Sequence, residues 1–328
     1  METYSPGDKI PSENELAKMF GVSRLTARKA IEKLVNEGLV VRIQGLGTFV
    51  ADVSSHLESR MRYVGILIQD KFDERGWSLI AGIERTLEEF NLKGLAVDLD
   101  LTNSRKISER LRSLLRQGIV GLIISPTDAL LKSRVFEDLV RRSFPIVFVD
   151  RRIEGLEVVT VESNNYQGGF LLGKHLRKDH KIHKALFIAE EPMSLSSVRE
   201  RFEGFRRGLR GEVKSLILKS LYEFKEAISL IRKEIEAIFF CHDLLAVHGM
   251  TMLMRKGILV PEDLKVVSFD DREVAKYTFP PLTTVKQDFE ALGEGAALMI
   301  AKMLMKEKVP VIEQVPVRLV VRKSCGCD

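Results

Sequence analysis

The chain has 328 residues, of which 45% are hydrophobic and 30% charged, with a formal net charge of +5. This mixture is typical of globular proteins and excludes a disordered or fibrous chain, and the length predicts two or three domains. The longest apolar runs fall far short of the ~20 residues that cross a bilayer, and the N-terminal segment lacks the features of a secretion signal, so a cytoplasmic protein is expected. The three cysteines form no plausible disulfide framework, because only one residue separates Cys325 from Cys327.

The first 50 residues carry a helix-turn-helix pattern. Ser12 precedes a short helical pattern, Gly21 marks a turn, and Ser23 is placed to cap a second helix. Apolar residues recur on that second helix at three- and four-residue steps and predict its buried face: Ala27, Ala30, Ile31, Leu34 and Val35.

The same spacing leaves polar side chains outside, at the N-terminal end of the second helix: Arg24, Thr26, Arg28 and Lys29. In helix-turn-helix proteins this end enters the major groove of DNA, where an arginine can donate two hydrogen bonds to guanine. The stretch GLVVRIQGLGTFV then predicts a two-stranded hairpin with Gly45 and Gly47 near its tip, where the backbone can approach phosphates closely. Helix and hairpin together predict a winged helix-turn-helix.

The rest of the chain predicts an α/β fold. A polar stretch at residues 52–62 predicts a linker between a domain at 1–51 and a larger domain at 63–328. In the larger domain, apolar strand-like runs alternate with amphipathic helix patterns in two successive series, which is typical of parallel sheets covered on both faces. We therefore predict two lobes, the first formed by about 63–163 and 288–311 and the second by about 164–287 and 312–328.

The stretch PGDKIPSENELAKMFGVSRLTARKAIEKLVNEGLVVRIQGLGTFV closely resembles the DNA-binding domain of GntR-type bacterial repressors. The resemblance implies that Asn14, Ser23, Arg24, Thr26 and Arg28 contact DNA, with Gln44 and Gly45 on the wing. The family also has a helix before the PGDK motif, whereas only five residues precede Pro6 here. Either the natural start lies upstream or the small core of this domain is thinner than usual.

The larger domain resembles the effector domain of LacI/GalR-type regulators, which is related to periplasmic sugar-binding proteins. The resemblance depends on the motifs FPIVFVDR, SSVRERFEGF, FFCHD, LVPEDLKVVSFDD and FPPLTTVKQDFEALG. It implies a ligand cleft lined by Asp150, Arg151, Arg201, Asp270 and Gln287. Trp77 or Phe72 would stack against the ligand, and His242 stands where the family commonly has asparagine. The whole combination resembles the arabinose repressors of bacteria.

The ends of the predicted strands support a ligand site independently of any family. The runs VFVDR, FFCHD and VVSFDD each end an apolar strand with charged side chains. In open α/β sheets, ligands bind outside the carboxyl ends of the strands. Carboxylates and guanidinium groups there suit a neutral polyol, because hydrogen bonds to charged groups are the stronger ones.

Three other interpretations of the sequence compete with these predictions: a phosphate-binding loop, a catalytic triad and a metal site. The segment GGFLLGK fits the spacing of a phosphate-binding loop, but His175 follows it instead of serine or threonine. Cys241, His242 and Asp243 are direct neighbours in an apparent strand, so they cannot converge as a catalytic triad. The CGC sequence at 325–327 could hold a metal only with ligands from elsewhere, so no metal site, no cofactor and no enzymatic activity are predicted.

The sequence therefore predicts a repressor that binds operator DNA and releases it when a sugar binds, with L-arabinose as the sugar that the resemblance implies. A homodimer is expected because palindromic operators mirror the symmetry of the protein that reads them. Two alternatives stay open at this stage: a sugar-binding or transport protein without a DNA role, and a regulator whose operator affinity a purine raises.

Overall fold

The structure is a computed structural model. It describes residues 4–5, 7–36, 39–43, 47–51, 62–68, 73–98, 103–219, 223–224 and 234–327. The chain divides into two compact units, residues 1–61 and 62–328. None of the helices in the described ranges has the length and apolarity needed to cross a bilayer.

The first unit contains the predicted helix-turn-helix. Helix Glu13–Phe20 begins with a capping box, in which Ser12 and Glu15 satisfy each other's backbone N–H groups, and it ends at Gly21 in the left-handed conformation. Helix Arg24–Asn36 follows after a short turn. Strands Val40–Ile43 and Gly47–Val50 then pair antiparallel, and a bridge between Lys9 and Phe49 adds the segment before the first helix to the hairpin.

The predicted buried face of the second helix is only partly correct. Ala27 and Ile31 are buried and Leu34 is partly buried, so one residue per turn faces the small core. Ala30 and Val35 are exposed, because they lie beside this narrow stripe and no other described element of the unit covers that side. The stripe is narrower than the one the apolar pattern predicted.

The second unit contains two parallel sheets, as predicted. The first lobe has a six-stranded parallel sheet, whose strands in spatial order are Ile312–Val315, Val159–Ser163, Ile146–Val149, Gly121–Ile124, Arg62–Ile68 and Leu92–Asp98. Its helices are Glu74–Glu89, Ser104–Arg116, Asp128–Leu131, Arg134–Arg141 and Phe289–Leu304. Strands Gly121–Ile124 and Ile146–Val149 are buried at every position, as expected of strands covered on both faces.

The second lobe has a four-stranded parallel sheet. Its strands in spatial order are Lys265–Val267, Ala237–Phe240, Lys184–Ala189 and Glu212–Ile217. Helices Asn165–His180, Ser196–Leu209 and Asp243–Arg255 belong to this lobe. Strands Thr284–Lys286 and Arg318–Val320 form a separate antiparallel pair, and short 3-10 turns occupy Glu273–Lys276 and Lys323–Cys325.

The chain crosses between the lobes in three places. The crossings follow strand Val159–Ser163, strand Thr284–Lys286 and strand Ile312–Val315. The last of these differs from the sequence prediction, which assigned residues 312–328 to the second lobe. Strand Ile312–Val315 pairs in parallel with Val159–Ser163 at the edge of the first sheet, so the chain returns to the second lobe after residue 315.

Candidate functional site

The residues predicted to contact DNA lie on the surface of the first unit. Asn14, Ser23, Arg24, Thr26, Arg28 and Lys29 are all exposed. Ser23 caps the second helix as predicted, because its hydroxyl accepts a hydrogen bond from the Thr26 N–H at 3.1 Å. Gln44 and Gly45, predicted on the wing, lie outside the described residues.

Two arginines of the second helix are paired with carboxylates. Arg28 Nε donates to Glu32 Oε1 at 2.9 Å, one turn further along the helix, and Arg24 Nε donates to Glu13 Oε2 at 3.4 Å. Arg42 on the hairpin also donates to Glu13. All three arginine side chains remain more than two-fifths exposed, so these ion pairs can exchange for DNA groups at little cost.

The second unit has a polar cleft of about 330 Å³. Its described lining comes from four strand ends in the two sheets and from the helices and turns beside them: Arg75, Arg151, Glu190, Glu191, Arg201, Cys241, His242, Leu244, Leu245, His248, Asp270 and Arg272. Arg151, Arg201, His242 and Asp270 are therefore brought together as predicted.

Asp150 and Arg151 form a buried network beside this cleft. Asp150 Oδ2 accepts two hydrogen bonds from the Arg151 guanidinium, at 2.9 and 2.8 Å, and Arg151 also donates to Glu191. Burial acts to raise the pKa of Asp150, but Arg151, Arg75 and Arg201 outweigh it and hold that pKa below its ordinary value. Asp150 Oδ1 is buried and has no hydrogen-bond partner among the described residues.

A second network centres on Arg201 and Asp270. Arg201 Nε donates to Asn165 Oδ1 at 2.9 Å, Nη1 donates to the Cys241 carbonyl at 2.7 Å, and the guanidinium lies 3.8 Å from the centre of the Phe269 ring. Asp270 Oδ1 lies 3.4 Å from Arg201 Nη1 and accepts a hydrogen bond from Gln287 Nε2 at 2.6 Å. Gln287 Oε1 is also buried without a partner among the described residues.

His242 occupies a helix end and not the strand that the sequence suggested. The strand ends at Phe240, and His242 Nδ1 accepts a hydrogen bond from the Leu245 N–H at 3.3 Å, which caps helix Asp243–Arg255. The Nε2 atom of His242 lies 3.4 Å from Glu190 Oε2, and both residues line the cleft. A hydrogen bond from His242 holds the pKa of Glu190 below its ordinary value.

The aromatic stacking predicted for Trp77 is wrong in this structure. Trp77 is 59% exposed on helix Glu74–Glu89 and is absent from the described lining of the cleft. Arg75, two positions earlier, lines the cleft instead, because the first turn of this helix points Arg75 towards Asp150. Phe72, the other aromatic candidate, lies outside the described residues.

Several lining residues were missed by the sequence prediction. Glu190 and Glu191 follow strand Lys184–Ala189 directly, so the rule that identified Asp150 and Asp270 could have found them. Arg272 lies in a turn and His248 lies in a helix, so the rule about strand ends does not identify them.

Comparisons with known proteins agree with this two-part architecture. Residues 1–50 match the family of bacterial regulatory proteins of the gntR family, and residues 174–325 match the periplasmic binding protein-like domain. The chain is 30% identical to the arabinose metabolism transcriptional repressor of Geobacillus stearothermophilus over 97% of this chain and 92% of that protein. It is 25% identical to the HTH-type transcriptional repressor PurR of Pasteurella multocida over 94% of this chain and 97% of that protein.

Solved structures share the fold of the second unit. The transcription regulator CcpA of Lactococcus lactis superposes with a TM-score of 0.71 at 20% identity, covering 81% of this chain and 99% of that one. A LacI family regulator from Enterococcus faecium with bound ribose superposes with a TM-score of 0.64 at 25% identity, covering 80% of this chain and 98% of that one.

A GntR-type DNA-binding domain joined to a periplasmic binding protein-like domain, in a chain 30% identical to transcriptional repressors over more than nine-tenths of its length, defines a transcriptional repressor, which is not an enzyme. The chain belongs to the family of the bacterial arabinose metabolism repressors. This confirms the predicted fold class and the predicted absence of catalytic activity.

Proposed function

We propose that L-arabinose binds in the cleft of the second unit and lowers the affinity of the protein for a palindromic operator. The observation that carries this proposal is the lining of the cleft, where Arg151, Arg201 and Asp270 bring charged hydrogen-bonding groups together. The hydroxyl groups of a sugar can both donate to carboxylates and accept from guanidinium groups, and hydrogen bonds to charged groups are the stronger ones. The relatives named as arabinose metabolism repressors support the choice of sugar.

The charges around the cleft favour a neutral ligand. Four arginines (Arg75, Arg151, Arg201, Arg272) face three lining carboxylates (Glu190, Glu191, Asp270), and Asp150 lies directly behind Arg151. With Asp150 included, four positive groups balance four negative ones, so a phosphorylated ligand would meet no excess of positive charge.

A purine effector is the alternative within the family, and the relative named PurR motivates it. A planar base would gain most from stacking on an aromatic side chain. The described lining of the cleft contains no Phe, Tyr or Trp, and the ring of Phe269 is already covered by Arg201. The cleft therefore suits a polyol better than a base.

On the DNA side, we propose that a homodimer places two winged helix domains on paired half-sites, with the second helix of each domain in the major groove. The protein acts in the cytoplasm, where its operator is found. Arg24, Thr26, Arg28 and Lys29 supply the exposed donors for this contact, and the N-terminus of the helix adds a partial positive charge.

The test is a titration of the operator complex with candidate effectors. A duplex enriched by the protein from a random library is labelled, and its dissociation is followed by fluorescence anisotropy. L-arabinose is expected to release it, whereas D-ribose, D-xylose and hypoxanthine are expected to have little effect. An operator affinity unchanged at saturating L-arabinose contradicts the sugar assignment, and a tighter complex with hypoxanthine supports the purine alternative.

The variant Arg201→Ala removes the central guanidinium of the cleft. It is expected to bind the operator like the native protein and to lose release by the sugar. The matched control is Arg206→Ala on the exposed face of the same helix, which is expected to respond normally. Because Arg201 is buried, a thermal melt of each variant checks that the fold persists.

A further inference from the structure

Four potential metal ligands meet in the second lobe, away from the residues that line the cleft. His175 and His180 lie in the last half of helix Asn165–His180, and Cys325 and Cys327 lie at the end of the described chain. One ligand atom from each of the four lies within 4.8 Å of all the others. About 150 residues of sequence separate the two pairs, so the fold alone brings them together.

The individual distances fit a tetrahedral site. His175 Nε2 lies 3.4 Å from Cys325 Sγ and 3.9 Å from Cys327 Sγ, and His180 Nε2 lies 3.3 Å from Cys327 Sγ. Zinc bonds of about 2.3 Å to sulfur and about 2.05 Å to nitrogen, at tetrahedral angles, place sulfur and nitrogen about 3.6 Å apart. The observed distances lie on both sides of this value, so a metal ion needs only small shifts of the side chains.

The groups around the cluster are those that support metal ligands. His175 Nδ1 lies 2.8 Å from Asp179 Oδ2, which would fix the ring with Nε2 directed at the sulfurs, as in carboxylate–histidine–zinc arrangements. Thr283 Oγ1 lies 3.1 Å from Cys325 Sγ, within hydrogen-bond distance of a metal-bound sulfur. Cys325 is fully buried and His175 nearly so, which would shield a bound ion from water.

We propose that His175, His180, Cys325 and Cys327 bind one Zn²⁺ ion in a closed structural site. Two thiolates and two imidazoles form a ligand set that selects zinc over calcium or magnesium, which take oxygen ligands. Four protein ligands complete the tetrahedron and leave no open position for catalysis. The ion would join the chain after strand Arg318–Val320 to helix Asn165–His180 within the second lobe. The sequence prediction of no metal site rested on the CGC sequence alone, without His175 and His180.

The test uses the full chain, without a polyhistidine tag and under reducing conditions. Protein purified with zinc in the medium is expected to keep one zinc per chain through gel filtration, measured by mass spectrometry of the metal. After removal of the metal with a chelator, one equivalent of Co²⁺ is expected to give the strong visible bands of tetrahedral cobalt and a thiolate-to-cobalt charge-transfer band. Zinc is then expected to displace the cobalt and to raise the melting temperature.

Variants distinguish this site from adventitious binding of metal elsewhere on the protein. Cys327→Ser and His180→Ala alter the two less buried ligands, so both are expected to fold and to lose the cobalt spectrum and most of the bound zinc. The matched control is His183→Gln, because His183 is an exposed histidine near the same helix end and outside the cluster. Zinc well below one per chain in the native protein, or a cobalt spectrum that survives in the double variant Cys327→Ser/His180→Ala, overturns the proposal. Because neither readout involves sugar or DNA, the result is independent of the proposed effector.

Discussion

Two aspartates at strand ends adopt a backbone conformation that L-residues rarely use. Asp150 has φ +78° and Asp270 has φ +113°, and each follows a strand in a different lobe. Such strain costs about 1–3 kcal/mol per residue and persists where the surroundings enforce it, most often at functional sites. At both positions an arginine holds the aspartate carboxylate. Arg151 binds Asp150, and Arg201 lies beside Asp270.

Arg28 tests the DNA contact at the level of one side chain. Arg28→Ala is expected to weaken operator binding by about tenfold to hundredfold and to relax specificity at one base pair, if its guanidinium donates to guanine. The comparison variant is Glu32→Gln, which releases Arg28 from its ion pair and removes a negative charge. It is expected to bind DNA at least as tightly as the native protein. An equal loss of affinity for all duplexes, with a flatter salt dependence, would assign Arg28 to a phosphate instead.

Asp243 makes stability depend on pH. Burial and the nearby Asp270 raise the pKa of this carboxyl to about 7, although its oxygens accept hydrogen bonds from Thr284 and the Arg272 N–H. An unfolded aspartate loses its proton near ~3.9. Between these values the native state binds more protons than the unfolded state, so this contribution to stability is present at low pH and declines as the pH rises to about 7.

Asp243→Asn is therefore expected to gain stability over the native protein as the pH rises from acid to neutral, by at most about 4 kcal/mol. Urea unfolding across this range measures the difference between the two free energies of unfolding. Asp288→Asn, at an exposed helix cap, serves as the control. A difference for Asp243→Asn that stays constant with pH argues against a proton on native Asp243.

At the level of helices, the glycines of the GGFLLGK segment serve packing and not phosphate binding. Gly169 and Gly173 lie against helix Ser196–Leu209, and Gly204 and Gly208 of that helix lie against Asn165–His180. A Cβ atom at any of these positions would overlap a backbone carbonyl of the opposite helix. The two backbones therefore touch, and this contact fixes the helix that carries Arg201.

Gly204→Ala tests this contact one turn from Arg201. The added methyl group would press on the Tyr166 carbonyl, and because backbone cannot rotate away, the helices must separate. We expect a loss of stability of about 1–3 kcal/mol, with weaker sugar binding because Arg201 moves with its helix. Thermal unfolding and sugar titration measure the two effects. Glu203→Ala, the exposed neighbour, should leave both unchanged, and a native-like Gly204→Ala would show that the helix pair can relax.

The sequence predicted the helices and strands better than it predicted which residues of different elements lie side by side. Apolar runs ending in charge identified the strands and placed Asp150 and Asp270, because the strand period and the carboxyl-end rule are local properties. It misplaced Trp77, since the direction of a side chain at a helix start depends on where the helix packs. It also missed the cluster of His175 with Cys325, because nothing local relates residues so far apart in sequence.

For the second unit as a whole, the polar contacts between the lobes include the bond from Arg151 to Glu191 and the following three. Arg272 Nη2 of the second lobe donates to Asp73 Oδ2 of the first at 2.9 Å, and the Glu273 N–H donates to Glu74 Oε2 at 2.8 Å. Ser194 and Asp128 form a third contact at 3.2 Å. We expect the three chain crossings to act as the hinge, so these contacts should contribute to how readily the lobes close on a ligand.

Asp73→Asn isolates the ion pair between Asp73 and Arg272. Asp73 Oδ1 also caps helix Glu74–Glu89 by accepting from the Gly76 N–H at 2.7 Å, and asparagine keeps this cap while removing the charge that faces Arg272. If closure on the sugar lowers operator affinity, the variant should need roughly threefold to tenfold more sugar for half-release of DNA, because the closed form loses a partly buried ion pair. If only the closed form makes this contact, operator affinity without sugar should rise slightly or stay unchanged. Glu109→Gln removes an exposed carboxylate paired with Arg105 in the same unit and should leave the sugar titration unaltered. A variant that releases DNA at the native sugar concentration would show that the contact between Asp73 and Arg272 is equally present in both states, and the coupling would then depend on the hinge alone.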